Sequence, residues 1–220
     1  MRPPAADRTA ALSYAARLLP MRSRPLPPSK EQIDLLAPFD RLGLERIELV
    51  STPGHAQRAA LLLRASSAWG FDTESRPVFA AGQASDGPHV VQLATLEQAW
   101  VFQLHDPDCA AEVAALLAWP GAVKAGFGLG DDRKRIQAKL GIEPARVHEL
   151  GHDFRRQGYR QQIGVRSAVA LLFERRFAKS KKAATSNWAR QDLSESQLLY
   201  AANDAWAALR CYHALRQQPA

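Results

Sequence analysis

A mixed α/β fold is the class this sequence predicts, and three observations predict it. Runs rich in β-branched and aromatic residues at 46–50, 68–75, 89–95, 99–104, 122–129 and 145–150 read as strands. Apolar residues at helical spacing fill several of the intervals between them. The early strands follow one another across tight turns, and later strands alternate with helices, which is the order expected of a mixed sheet.

Each element has its own signal. "RIELV" (46–50) alternates as a strand, and "AQRAALLLRAS" (56–66) has helical apolar spacing. "AWGFDTES" (68–75) is a short strand with its acids at the end, and "HVVQLAT" (89–95) and "AWVFQL" (99–104) are strands parted by a short turn. "CAAEVAALLAW" (109–119) is a helix stopped by Pro120-Gly121. "AVKAGFGL" (122–129) reads as a strand, "DDRKRIQAKLG" (131–141) as a helix ended by Gly141, "ARVHEL" (145–150) as a strand and "VRSAVALLFERRF" (165–177) as a helix. Ser194 and Gln197 form a capping box, so the last helix runs from about 195 to 217.

Residues 1–30 stand apart, with five Arg and one Lys against Asp7 and with six of the 14 prolines. "SRPLPPSK" (23–30) is expected to be extended, with one short helix around 8–19 before it. The chain therefore divides into a basic Pro/Arg-rich N-terminal arm over 1–44 and a compact domain over 45–220. Apolar content of 46% and charged content of 23% belong to a folded globular chain. No apolar run reaches the roughly 20 residues of a membrane span, and no secretory signal is read, so no membrane is expected. Cys109 and Cys211 form no CxxC pair, which argues against a cysteine zinc site and suits a reducing cytoplasm. A net charge of +7 favours polyanionic partners, nucleic acid first.

"HELGHD" (148–153) contains His-Glu-x-x-His, the pattern of helical zinc peptidases. That pattern works only on a helix, where positions four apart share a face. Here Gly151 weakens a helix, and the strand-like alternation of "ARVHEL" puts His148 and Glu149 on opposite faces. The only later histidine, His213, lies deep in the terminal helix, so a third ligand is lacking. The segment reads as a strand-to-loop junction, and the peptidase reading is set aside.

"FDTES" places Asp72 and Glu74 two apart near a strand end, so both carboxylates face one way. Such a pair repels itself and calls for a counter-charge, unless it is only two solvated acids at a turn. "KAGFGLGDDRKRI" adds Asp131 and Asp132 at a strand–helix join, with glycines at 126, 128 and 130 that permit close approach. "YAANDAWAAL" sets Tyr200 and Asp204 four apart on one helical face. An acid among Ala201, Ala202 and Ala205 is costly to bury without a partner.

In this order and spacing, the stretches "FDTES", "HVVQLAT", "KAGFGLGDDRKRI" and "TSNWARQDLSESQLLYAANDAWAAL" make the sequence resemble the DEDD superfamily of 3′-5′ exonucleases, in the subclass with tyrosine in its third motif. The resemblance covers roughly residues 45–217, and its second motif is more similar to the Werner-type exonuclease domain than to ribonuclease D. It implies a ribonuclease H-like fold: a mixed five-stranded sheet, one strand antiparallel, with helices on both faces. The sequence stops just after the third motif, so the C-terminal accessory domain seen in ribonuclease D relatives is expected to be absent. The metal ligands it implies are Asp72, Glu74, Asp132 and Asp204, with Asp132 rather than its neighbour Asp131 in register, and Tyr200 orients the attacking water. Leu199 stands where the histidine subclass places its His, and Ser75-Arg76 stand where the family usually has an aromatic or aliphatic residue. The resemblance makes "HELGHD" a strand and loop remote from catalysis.

Hard carboxylate oxygens suit Mg²⁺ or Mn²⁺ better than zinc, and two such ions roughly 4 Å apart would neutralise a phosphodiester and acidify a bound water. The expected partner is single-stranded or 3′-overhanging nucleic acid, with no obligate protein partner. Within "FERRFAKSKKAATSNWAR" (173–190), Arg175, Arg176, Lys179, Lys181, Lys182 and Arg190 outnumber Glu174 and read as a phosphate-contacting loop, unless they are only a solvated charge run. Phe127 is a candidate for stacking on a base, whereas Trp188 reads as a core anchor. An active exonuclease is the leading reading. A non-catalytic nucleic-acid binder on the same fold is the alternative.

Overall fold

The computed structural model describes residues 24–77 and 86–217. In chain order these form α1 (Lys30–Asp34), a 3-10 turn (Leu44–Arg46), β1 (Ile47–Val50), α2 (Pro53–Arg64), β2 (Ala68–Glu74), β3 (Val90–Ala94) and β4 (Ala99–Gln103). Then come α3 (Pro107–Ala118), β5 (Val123–Gly126), α4 (Gly130–Leu140), β6 (Val147–Glu149), α5 (Leu150–Arg156), α6 (Val165–Phe173), α7 (Lys181–Ala184) and α8 (Glu195–Gln217). The helix expected around 8–19 lies outside the described residues.

Helix starts follow local chemistry. The Thr52 hydroxyl accepts from His55 N at 3.5 Å ahead of α2, and Asp106 accepts from Cys109 N at 2.8 Å ahead of α3, each with proline at the first helical position. The capping box forms at α8: Gln197 N donates to Ser194 Oγ at 3.3 Å and Ser194 N donates to Gln197 Oε1 at 3.0 Å. Gly141 ends α4 at φ 69°, a left-handed conformation that favours glycine.

The sheet order is β1-β4-β3-β2-β5-β6. β3 runs antiparallel to both its neighbours, with Asp72 opposite Gln92 on one side and Gln92 opposite Val101 on the other, while the remaining pairings are parallel. The expected single antiparallel strand and the helices on both faces are therefore present, but the sheet has six strands and not five. The short edge strands β1 and β6 both pair in full register, which accounts for all six strand-like stretches of the sequence.

One face of the sheet packs on α6 and α8 through residues such as Val90, Ala94, Val101, Ala201, Ala205 and Ala208. The other face packs on α2, α3 and α4 through Trp69, Phe71, Phe102, Leu63, Val113 and Ile136. Among the described residues, no helix is long and apolar enough to cross a membrane.

Four boundaries depart from expectation. The strand expected over 122–129 stops at Gly126, because the chain turns at Gly128, φ 73°. The helix expected over 165–177 stops at Phe173, where Glu174 turns left-handed at φ 53° and frees Arg176 to pair with Pro38. The loop expected after the strand at 145–150 is instead a helix, α5: Glu149 caps it by accepting from Gly151 N at 3.0 Å. Within the segment expected as an arm, Ile33, Phe39 and Leu42 are buried, and Phe39 and Leu42 join the core built on α6 and α8. Asn203 binds both backbone groups of Leu42, at 2.8 Å to N and 3.2 Å to O, so the compact unit reaches back beyond residue 45.

Candidate active site

Strand β2 delivers two acids to one face. Phe71 points into the core beneath α2, α3 and α4, Thr73 on the same face meets Asp132 of α4, and the alternation turns Asp72 and Glu74 toward α8. Close docking of α8 depends on Gly70: a Cβ there would lie 1.8 Å from the carbonyl oxygen of Ala205. The residue before Ala205 is Asp204, so the same close approach brings Asp204 over the strand. Asp72, Glu74 and Asp204 each offer a carboxylate oxygen within 4.8 Å of the others.

Three acids held this close, and largely out of water, resist ionisation. Burial, then Asp204 and Asp132, push Asp72 well above the carboxylate range. Burial, then Asp72 and Asp204, push Glu74 up to about 9. Burial raises Asp204 as well, although Lys179 opposes it. Asp204 is 4% exposed; Lys179 Nζ lies 2.6 Å from its Oδ2 and the Tyr200 hydroxyl is beside it, yet neither carboxylate oxygen accepts a well-aligned hydrogen bond among the described residues. Converging, desolvated, hard oxygen donors with spare lone pairs fit a divalent cation.

Asp132 sits apart from this trio. Its carboxylate accepts from the Thr73 hydroxyl, on the other side of β2, and burial raises it while the Thr73 bond pulls it down. It is near enough to raise Asp72 by charge repulsion. Asp131 faces solvent, paired with Lys134 at 3.2 Å. Tyr200 is half-buried one turn before Asp204; its ring lies 6.0 Å from that of Trp188, and burial, then Asp204, push its hydroxyl above the ordinary tyrosine value.

The other expected contacts divide into three groups. Phe127 lines a cleft of about 180 Å³ with Asp72, Asp204, Lys179 and Gln162. Arg175, Lys181, Lys182 and Arg190 are exposed. Arg176 is tied to the N-terminal segment, its backbone bonded to Ala37 and Phe39 and its guanidinium to Asp34 O at 3.4 Å. Trp188 is buried in the core.

The histidine motif is broken across two elements: His148 on β6 pairs with Asp153 at 2.5 Å, and His152 is exposed on α5. Glu149 is not remote from the site, however. Its carboxylate accepts from Gly128 N at 3.1 Å and Leu129 N at 2.7 Å, bracing the turn that enters the helix of Asp132 and borders the Phe127 cleft. Sequence reasoning misses this brace, the Thr73 bond and the Lys179 pair. Only the glycine inside β2 carries a readable sign, since an interior strand glycine marks close backbone approach.

A family model described as 3′-5′ exonuclease matches residues 47–219. The chain is 26% identical over 223 residues to the human Exonuclease mut-7 homolog, spanning 89% of this chain and 24% of that protein. It is 27% identical over 153 residues to an Arabidopsis thaliana 3′-5′ exonuclease, spanning 68% of this chain and 53% of that protein. The chain thus spans about a quarter and about half of these two relatives. Its fold superposes on the crystal structure of the Aedes aegypti Nibbler EXO domain with a TM-score of 0.69 at 22% identity, covering 82% of this chain and 92% of that one.

Proposed function

The chain belongs to the 3′-5′ exonuclease family, and from that premise we propose that it removes nucleotides one at a time from the 3′ end of nucleic acid by two-metal-ion hydrolysis. The observation that carries this reading is the convergence of Asp72, Glu74 and Asp204 within 4.8 Å on a buried floor. These three, with Asp132 joining from the far side of β2, would hold two Mg²⁺ or Mn²⁺ ions. Bound ions of this kind offset phosphate charge and acidify water.

The remaining work falls to the protein. Tyr200 keeps its proton, and its hydroxyl aligns the attacking water beside Asp204. Phe127 supports the terminal base from the cleft wall. Water attacks the last phosphodiester and breaks the bond to the preceding 3′ oxygen, so the product is a nucleoside 5′-monophosphate. Arg175, Lys181, Lys182 and Arg190 hold the strand by its phosphates, and single-stranded or 3′-overhanging ends are the substrates. The buried free thiols of Cys109 and Cys211 suit a reducing cytoplasm as the place of action.

Digestion of matched DNA and RNA oligonucleotides with Mn²⁺ tests the proposal. Wild type is expected to shorten a 5′-labelled single strand stepwise and release 5′-monophosphates, and Asp72→Ala to bind it without shortening it. Binding without shortening by wild type would make the chain a non-catalytic binder. Equal digestion by both proteins would show that the site lies elsewhere.

A further inference from the structure

Lys179 belongs to a basic run that reads as phosphate-contacting in the sequence, yet its ammonium lies inside the acid cluster. Nζ is 2.6 Å from Asp204 Oδ2 and 5.3 Å from the centre of the Tyr200 ring, so it touches two of the groups that matter most. The side chain is one-third exposed, against 3% for Asp204. Its backbone belongs to the extended stretch between α6 and α7. That stretch is fastened on one side by the bonds of Arg176 to Ala37 and Phe39, and on the other by Ser180, whose hydroxyl accepts from Ala183 N at 3.2 Å. The anchor point is fixed, and only the flexible four-carbon stem can move the charge.

Three crowded acids can give up their protons only against positive charge, and a tethered ammonium supplies one unit of it. Resting on the reading of this cluster as a metal site, we propose that Lys179 is an intramolecular cation that competes with the divalent metal for Asp204 and is displaced when metal binds. A metal ion bound to Asp204 Oδ2 cannot share that oxygen with an ammonium at 2.6 Å without strong repulsion. The released ammonium stays within reach of the cleft that Lys179 helps to line.

Calorimetric titration of Mn²⁺ into metal-stripped protein near neutral pH tests this in three forms: wild type, Lys179→Met and Lys179→Arg. Methionine keeps the stem against Tyr200 and removes the charge, so Mn²⁺ affinity is expected to rise about tenfold or more, while the arginine variant, which keeps the charge, stays near wild type. A second readout needs no variant: labelling of Lys179 by a small amine-reactive reagent, followed by peptide mass, is expected to increase several-fold when Mn²⁺ is added. Equal or weaker Mn²⁺ affinity in Lys179→Met than in wild type overturns the competition alone. Labelling of Lys179 that does not rise on Mn²⁺ binding does the same. No Mn²⁺ binding by any of the three proteins overturns the metal reading itself, and the competition with it.

Discussion

A carboxyl group that keeps its proton to about pH 9, as Glu74 does, makes folding stability depend on pH in a definite direction. Its folded-state pKa lies above that of the unfolded chain, so between about pH 4.5 and 9 the folded state carries more protons than the unfolded one. Stability therefore falls as pH rises through that window, and Asp72 and Asp204, raised in the same sense, add to the slope. The melting temperature of metal-stripped protein should drop steadily from about pH 5 to 9, and saturating Mn²⁺ should restore most of the loss; a flat profile in calorimetric scans would contradict the cluster's protonation. Tyr200→Phe removes one hydroxyl and leaves the ring on Trp188, so kcat should fall about 10²-fold with KM nearly unchanged, read from single-turnover digestion. Asp72 and Glu74 are legible in the sequence because strand alternation forces positions two apart onto one face, and Asp204 because an acid among alanines must have a reason to be there. Lys179 is not legible: no period connects an extended stretch at 179 to a helix at 204, and a lysine in a run of basic residues looks like any surface charge.

At the scale of elements, the site is a meeting of β2 and α8, and Gly70 sets its closeness. Gly70→Ala would drive a methyl group into the Ala205 carbonyl, so α8 must retreat. The expected cost is about 1–3 kcal/mol of stability, read from denaturant midpoints. Because Asp204 moves with Ala205, activity should fall by about 10²-fold or more, beyond what lost folding explains. The capping box at Ser194 and Gln197 makes α8 the most readable helix, since its start is written in local side chains. α5 is hidden for the opposite reason. Gly151 argues against a helix, and only the Glu149 carboxylate, reaching both Gly151 N and the 128–129 turn, makes one. The burial of Phe39 and Leu42 is equally hidden, because the partner that holds Leu42, Asn203, lies 161 residues along the chain.

For the molecule as a whole, charge and topology act together. A net charge of +7 with exposed Arg175, Lys181, Lys182 and Arg190 should make single-strand binding strongly salt-dependent. In an Asp72→Ala background, anisotropy titrations should give log affinity falling linearly with log salt, and changing those four residues to Gln should make the slope shallower by roughly 0.7 for each phosphate no longer neutralised. An unchanged slope would remove them from the interface. The sheet order is less readable than the strands themselves, because the single reversal at β3 depends on which strands pair, and pairing is not a local property. The division of the candidate site between β2 and α8 also sets the order in which its acids can come together during synthesis. A nascent chain that has produced Asp72 and Glu74 still lacks Asp204 until α8 is made and docked, so the three acids cannot meet on β2 before that helix arrives.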